Sequence, residues 1–75
     1  MEQQFIEKLK EVIEIEDHEV ALEDEFRNYD EWDSLTYLSV IAMLDEEYGV
    51  EIETEDFKKL RTVGALWEEV KRRSA

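Results

Sequence analysis

The 75-residue sequence predicts an all-α fold, a small bundle of three main helices and one short third helix with a long first loop. Three observations carry this. The chain has no proline and only two glycines, Gly49 and Gly64, and its acids are spread throughout, a composition that disfavours a turn-rich sheet fold. Apolar residues recur at i, i+3, i+4 and i+7, the spacing of helical stripes. And 43% hydrophobic residues, with two Trp, three Tyr and three Phe, argue that so acidic a chain folds instead of staying disordered.

The first helix is expected from about Gln3 to Ile15, with Phe5, Ile6, Leu9, Val12 and Ile13 forming one stripe and Glu7, Lys8, Lys10, Glu11 and Glu14 facing water. Periodicity weakens between Glu16 and Asp33. Val20, Leu22, Phe26 and Tyr29 are spaced to pin this stretch onto a core as an ordered loop, with a short helical turn near Leu22–Phe26. The second helix is the clearest, Ser34 to Tyr48. Asp33 stands at its N-cap and Gly49 where a left-handed residue would end it. Leu35, Leu38, Ile41, Leu44 and Tyr48, with Val40 beside them, are read as its apolar face. Val50 to Thr54 follows as an extended link that turns Val50 and Ile52 inward. A short third helix is expected from Thr54 to Leu60, burying Phe57 and Leu60. Thr62 caps a fourth from Val63 to Arg73 that buries Val63, Leu66, Trp67 and Val70, its Lys71-Arg72-Arg73 end suiting the negative end of the helix dipole.

Length and charge bound the function. Seventy-five residues suffice for one domain, 1–75, with a thin stability margin. The formal net charge of −13 repels nucleic acid and anionic membrane surfaces and steers association toward basic protein surfaces. No stretch approaches a membrane span, and Met1-Glu2-Gln3-Gln4 lacks the basic start of a signal peptide, so a cytoplasmic monomer is expected. The chain has no cysteine and hence no thiol of its own. Thioester chemistry would need an imported sulfur.

Self-contained catalysis is disfavoured. His18, the only histidine, lies in an acidic stretch that reads as solvated surface, and Ser34 has no predictable histidine or lysine beside it to activate its hydroxyl. Carboxylate pairs are too abundant here to be informative without a pocket that sets their pKa values apart. Asn28, Asp30 and Asp33 invite comparison with a calcium loop, but Trp32 occupies a ligand position and the loop glycine is missing. No catalytic or metal residue is assigned.

The informative segment is Trp32-Asp33-Ser34-Leu35. It resembles the attachment motif of the acyl and peptidyl carrier proteins, in which the serine of Asp-Ser-Leu carries 4′-phosphopantetheine. Three residues alone would be weak evidence. The resemblance extends over about residues 5 to 72: Leu38, Val40-Ile41 and Leu44 through Ile52 look like the family's second helix and its exit. Phe57, Thr62-Val63 and the last helix look like its third and fourth. Glu31-Trp32 before the motif is similar to carriers of dedicated secondary or cell-surface pathways. An acyl-carrier-like four-helix bundle is what the resemblance implies.

It also implies a role. Ser34 would be the attachment residue, flanked by Asp33 and Leu35, loaded from coenzyme A by a phosphopantetheinyl transferase using magnesium. The arm would hold acyl or aminoacyl intermediates as thioesters for fatty-acid, polyketide or secondary biosynthesis. Helix two would be the docking surface for acyl- or aminoacyl-transferring enzymes with basic surfaces, through Glu31, Asp45 and Glu46 and the apolar Leu38 and Ala42. The familiar fatty-acid carriers tend to place acids where this chain has Thr36 and Ser39, a departure that weakens the acidic stripe. Three aromatics are weighed separately. Trp67 is read as core. Tyr37 is core or lines a cargo path with Ile52 and Leu60, and Trp32 packs under the loop or shields the arm. The rival reading is a non-carrying acidic helical adaptor on a basic protein surface, under which Ser34 is only a helix-start residue.

Overall fold

The computed structural model describes residues 2–74. Helix α1 spans Glu2–Ile13, α2 Ser34–Tyr48, α3 Thr54–Phe57 and α4 Val63–Ser74, with a 3-10 turn at Phe26–Asn28 and no strand among the described residues. The four-helix bundle expected from the sequence is therefore present, and α2 has the predicted bounds.

Phe5, Leu9 and Ile13 of α1 are buried at the predicted spacing, with Ile6 and Val12 half-buried beside them. They meet Val40, Met43 and Leu44 of α2 and the predicted Val63, Leu66, Trp67 and Val70 of α4. Where the three long helices converge, the Phe5 and Trp67 rings stack at 4.9 Å and the Tyr48 ring stands edge-on to both. Burying rings of this size supplies much of what a 75-residue chain can gather against its conformational entropy.

Two helix ends differ from expectation. Helix α1 stops at Ile13, not Ile15, because Glu14 turns left-handed at φ 64°. The Glu14 amide then donates to the Glu11 carbonyl at 3.2 Å and the Ile15 amide to the Lys10 carbonyl at 2.9 Å. That pair of bonds is a Schellman motif built without the usual glycine, and it swings Ile15 into the core. Helix α3 stops at Phe57, not Leu60. Beyond it the amides of Lys59 and Leu60 reach back only three residues, to Asp56 and Phe57, so the tail is a series of tight turns and Leu60 is half-buried.

The long first loop is held by side chains and backbone alike. Its helical turn falls at Phe26–Asn28 instead of Leu22–Phe26, with Val20 and Phe26 buried as anchors. The Asp24 carboxylate accepts from the Ala21 amide at 3.0 Å and the Tyr29 hydroxyl at 2.8 Å. The loop also caps α4. The amides of Val63 and Gly64 donate to the carbonyls of Asp24 and Leu22 at 2.9 and 2.8 Å, while Thr62 supplies its hydroxyl to Ala65 at 3.0 Å and its carbonyl to Leu66. All four first-turn amides of α4 are thus satisfied. A Cβ on Gly64 would lie 3.1 Å from the Leu22 carbonyl oxygen, so the close approach explains the glycine.

The apolar face read for α2 needs correcting. Leu35 and Leu38, placed on it by spacing, are 75% and 59% exposed, whereas Leu44 and Val40 are buried as read and Met43 joins them inside. This helix carries apolar residues on nearly every side, so periodicity alone could not select the buried one.

Candidate functional site

The site is built where the first loop delivers the chain to α2. Asp33 is extended, at φ −153°, and its carboxylate accepts the Thr36 amide at 2.8 Å while its carbonyl accepts the Tyr37 amide at 2.9 Å. The Thr36 amide first, then the Thr36 side chain and the Leu35 amide, hold the Asp33 carboxyl below its ordinary pKa, so it caps the helix as an anion. The Thr36 hydroxyl donates to the Glu31 carbonyl at 3.0 Å and fixes the approach from the other side. Ser34, the first helical residue, is left exposed at the positive end of the dipole of a fifteen-residue helix.

Ser34 opens onto a cleft of about 400 Å³ between α2 and α3. Asp33, Tyr37 and Trp32 line one side, Thr54, Phe57 and Lys58 the other, with Arg27 reaching in from the loop. Aromatic rings form its floor. Phe57 is 2% exposed, stacked on Trp32 at 6.3 Å, edge-on to Tyr37 at 5.1 Å and to Phe26 at 5.5 Å. The Tyr37 and Thr54 hydroxyls meet at 3.3 Å across the rim.

These contacts decide the questions left by the aromatics. Trp67 is core. Trp32 both packs on the loop's Phe26 at 5.0 Å and faces the cleft, and Tyr37 lines it. Ile52 is buried, Leu60 is half-buried, and neither lines the cleft. Sequence reasoning missed Arg27, Thr54 and Lys58 as wall residues. Arg27 had a signal, as the only base among ten acids between Glu14 and Asp33. Thr54 and Lys58 had none, because the placement of α3 is a tertiary result.

The residues assigned to docking divide into three groups. Leu38, Ala42 and Asp45 are exposed and, with Leu35 next to Ser34, follow one another at three- and four-residue steps along one stripe of α2. Glu46 is exposed beside that stripe, and with Ala42 it lines a second groove, against Lys8 and Val12 of α1. Glu31 is half-buried and turned toward His18, with Oε1 3.5 Å from Nε2. The histidine read as free surface therefore has partners. Its ring lies 5.2 Å from that of Tyr29, and the Glu19 carbonyl, with Glu31 adding, raises its pKa. One ligand atom each from Asp17, His18 and Glu31 lie within 4.8 Å of one another. Among the described residues no helix is long and apolar enough to cross a membrane.

Ser34 thus stands exposed at a helix start beside an aromatic-floored cleft, and no histidine is among the described residues that line that cleft. Residues 3–70 match the family described as the phosphopantetheine attachment site, so the chain belongs to that family of carrier proteins, which are not enzymes. The chain is similar to the meromycolate extension acyl carrier protein of Mycolicibacterium aurum, 39% identical over 67 residues that span 84% of this chain and 69% of that one. Its fold is similar to the solution NMR structure of a holo acyl carrier protein from Geobacter metallireducens, with a TM-score of 0.81 and 22% identity, covering 96% of this chain and 83% of that one. The cofactor of the family is 4′-phosphopantetheine, and the site fits it. Ser34 is exposed, the helix start tolerates a phosphodiester, and an open, aromatic-floored cleft lies beside it. The family match speaks against the non-carrying adaptor.

Proposed function

We propose that Ser34 is the residue that carries the 4′-phosphopantetheine arm, and that the chain delivers acyl or aminoacyl cargo between enzymes of a fatty-acid, polyketide or secondary biosynthetic pathway. The observation that carries this is the exposure of Ser34 at the start of α2, directly after the Asp33 cap, within a chain that has no thiol of its own. The arm supplies that thiol, on which cargo is held as a thioester.

Loading joins the Ser34 oxygen to the β-phosphorus of coenzyme A, breaks the pyrophosphate bond and releases adenosine 3′,5′-bisphosphate, while the hydroxyl proton passes to a base. No histidine is among the described residues that line the cleft at Ser34, so the base and the magnesium come from the transferase. Asp33 holds the helix start in shape for this and offers a carboxylate to the transferase's metal. The same lack of activating groups lets a thioester survive until a partner enzyme takes it.

The exposed stripe of Leu35, Leu38, Ala42 and Asp45, flanked by Glu46, is the surface we assign to those partners. Apolar contact supplies affinity there, and the net charge of −13 steers basic partner surfaces toward it. Mass spectrometry of the protein isolated from its own cells, before and after neutral hydroxylamine, tests the whole reading. Mass on Ser34 that hydroxylamine shortens is thioester cargo, and an unmodified Ser34 in actively growing cells contradicts it.

A further inference from the structure

The first loop carries a set of donor atoms that the attachment site does not use. His18 lies near its start, with Nδ1 3.1 Å from the Glu19 carbonyl oxygen. A carbonyl only accepts, so Nδ1 holds the ring proton. The neutral imidazole then turns its Nε2 lone pair toward Glu31 Oε1, 3.5 Å away. That oxygen is buried and has no hydrogen-bond partner among the described residues. Two lone pairs so placed repel unless something positive stands between them. A proton bridges two atoms, but here a third donor converges: one ligand atom each from Asp17, His18 and Glu31 lie within 4.8 Å of one another. No lysine or arginine pairs with Asp17 or Glu31 among the described residues. Arg27, the only base of that kind between Glu14 and Asp33, is engaged by the Phe57 and Leu60 carbonyls.

We propose that Asp17, His18 and Glu31 form a site for a divalent transition metal of the zinc class, held by His18 Nε2 and one carboxylate oxygen from each acid, with water in the fourth position. One imidazole with two carboxylates suits zinc, whereas calcium and magnesium take larger, all-oxygen sets. The distances agree. A tetrahedral zinc with bonds of about 2.1 Å holds its donors about 3.4 Å apart, close to the 3.5 Å between Nε2 and Oε1. Asp17 is exposed, so its side chain can rotate to complete the set. The Nδ1 proton on the Glu19 carbonyl is the outer contact that orients a metal-binding histidine. The ion would tie the start of the loop to its end, because the Glu31 carbonyl also accepts the Thr36 hydroxyl in the first turn of α2. This site is independent of what Ser34 carries.

The test is calorimetric titration of the full, chelator-treated chain with zinc chloride, in buffer holding excess magnesium and calcium to occupy loose acidic surface. We expect one zinc per chain. In NMR of the labelled protein, zinc should move the His18 Nε2 resonance while Nδ1 keeps its proton. His18→Gln and Glu31→Gln, each shown by circular dichroism to keep its helices, should weaken zinc binding by about tenfold or more, since loss of even an outer partner costs that much. Zinc should raise the melting midpoint of the parent and not that of His18→Gln. Should a variant fail to fold, the His18 ring nitrogens of the parent decide. Absence of binding under these conditions overturns the site. So does zinc that binds His18→Gln undiminished or leaves the His18 nitrogens unmoved, which is adsorption on the acidic surface only.

Discussion

The Arg27 guanidinium lies 5.3 Å from the centroid of the Phe57 ring and donates to the Phe57 carbonyl at 2.7 Å. A second bond to the Leu60 carbonyl and a place 4.9 Å over the Phe26 ring complete its contacts. One side chain from the first loop thereby closes the carbonyl end of α3, a helix too short to be stable by itself, and holds the floor of the Ser34 cleft in place.

Arg27→Ala should therefore destabilise the fold by about 1–3 kcal/mol, since two charge-assisted bonds and a cation–π contact are lost while water can reach the freed carbonyls. Arg27→Lys should recover only part of this, because an ammonium cannot fork across two carbonyls. Denaturant melts of the three proteins check the order, and equal stability of the arginine and lysine forms would refute the forked geometry.

Asp33 and Ser34 are adjacent but should separate cleanly on substitution. Asp33→Ala removes the carboxylate that accepts the Thr36 amide and should lower the melting midpoint by roughly a few degrees, whereas Asp33→Asn should restore most of it. Ser34→Ala should leave the melt unchanged, since the cap remains. Thermal denaturation followed by circular dichroism distinguishes the two.

How legible this site was depends on which forces shape it. Helix α2 could be read to the residue because its ends are written locally, in the Asp33 carboxylate and in Gly49, left-handed at φ 64°. The start of α4 was equally local, through Thr62. The cleft was not legible. Lys58 reaches it only because α3 is anchored through Phe57 and Arg27, thirty residues apart, and sequence spacing carries no trace of such a contact. The outward turn of Leu35 and Leu38 was hidden for the opposite reason, an α2 so uniformly apolar that its faces look alike. The early stop of α1 was hidden because Glu14 adopts a conformation the sequence gives no glycine for.

That last position offers a stabilising change. Glu14→Gly should raise stability by about 0.5–1 kcal/mol. Glycine removes the cost of a left-handed residue with a side chain and takes an anion from the negative end of α1, while its greater freedom in the unfolded chain offsets part of the gain. A urea melt measures it. A loss of stability would mean that the Glu14 side chain contributes more than its backbone costs.

Stability should also follow pH in two opposite windows. The pKa of His18 is raised in the fold, by the Glu19 carbonyl first and by Glu31 after it, so these contacts contribute fully below about pH 6.5 and fade as pH rises through the folded value. Asp24 and Asp33 are lowered by the amides they accept from. What they contribute is present above about pH 4 and is lost as pH falls through their folded values. Melting midpoints should therefore be highest in mildly acidic buffer and decline slightly toward pH 8. His18→Gln should remove that alkaline decline and leave the acid limb intact. Added salt should raise the midpoint throughout, by screening the repulsion of a chain of charge −13.

The account turns on Ser34, and intact mass tests it most directly. The purified protein and its Ser34→Ala variant, both shown to be folded by circular dichroism, are incubated with coenzyme A, magnesium and a broad-specificity phosphopantetheinyl transferase. The account predicts the gain of one phosphopantetheine by the first and none by the second. An equal gain by the variant, or no gain by the folded parent with any of several transferases, would contradict it.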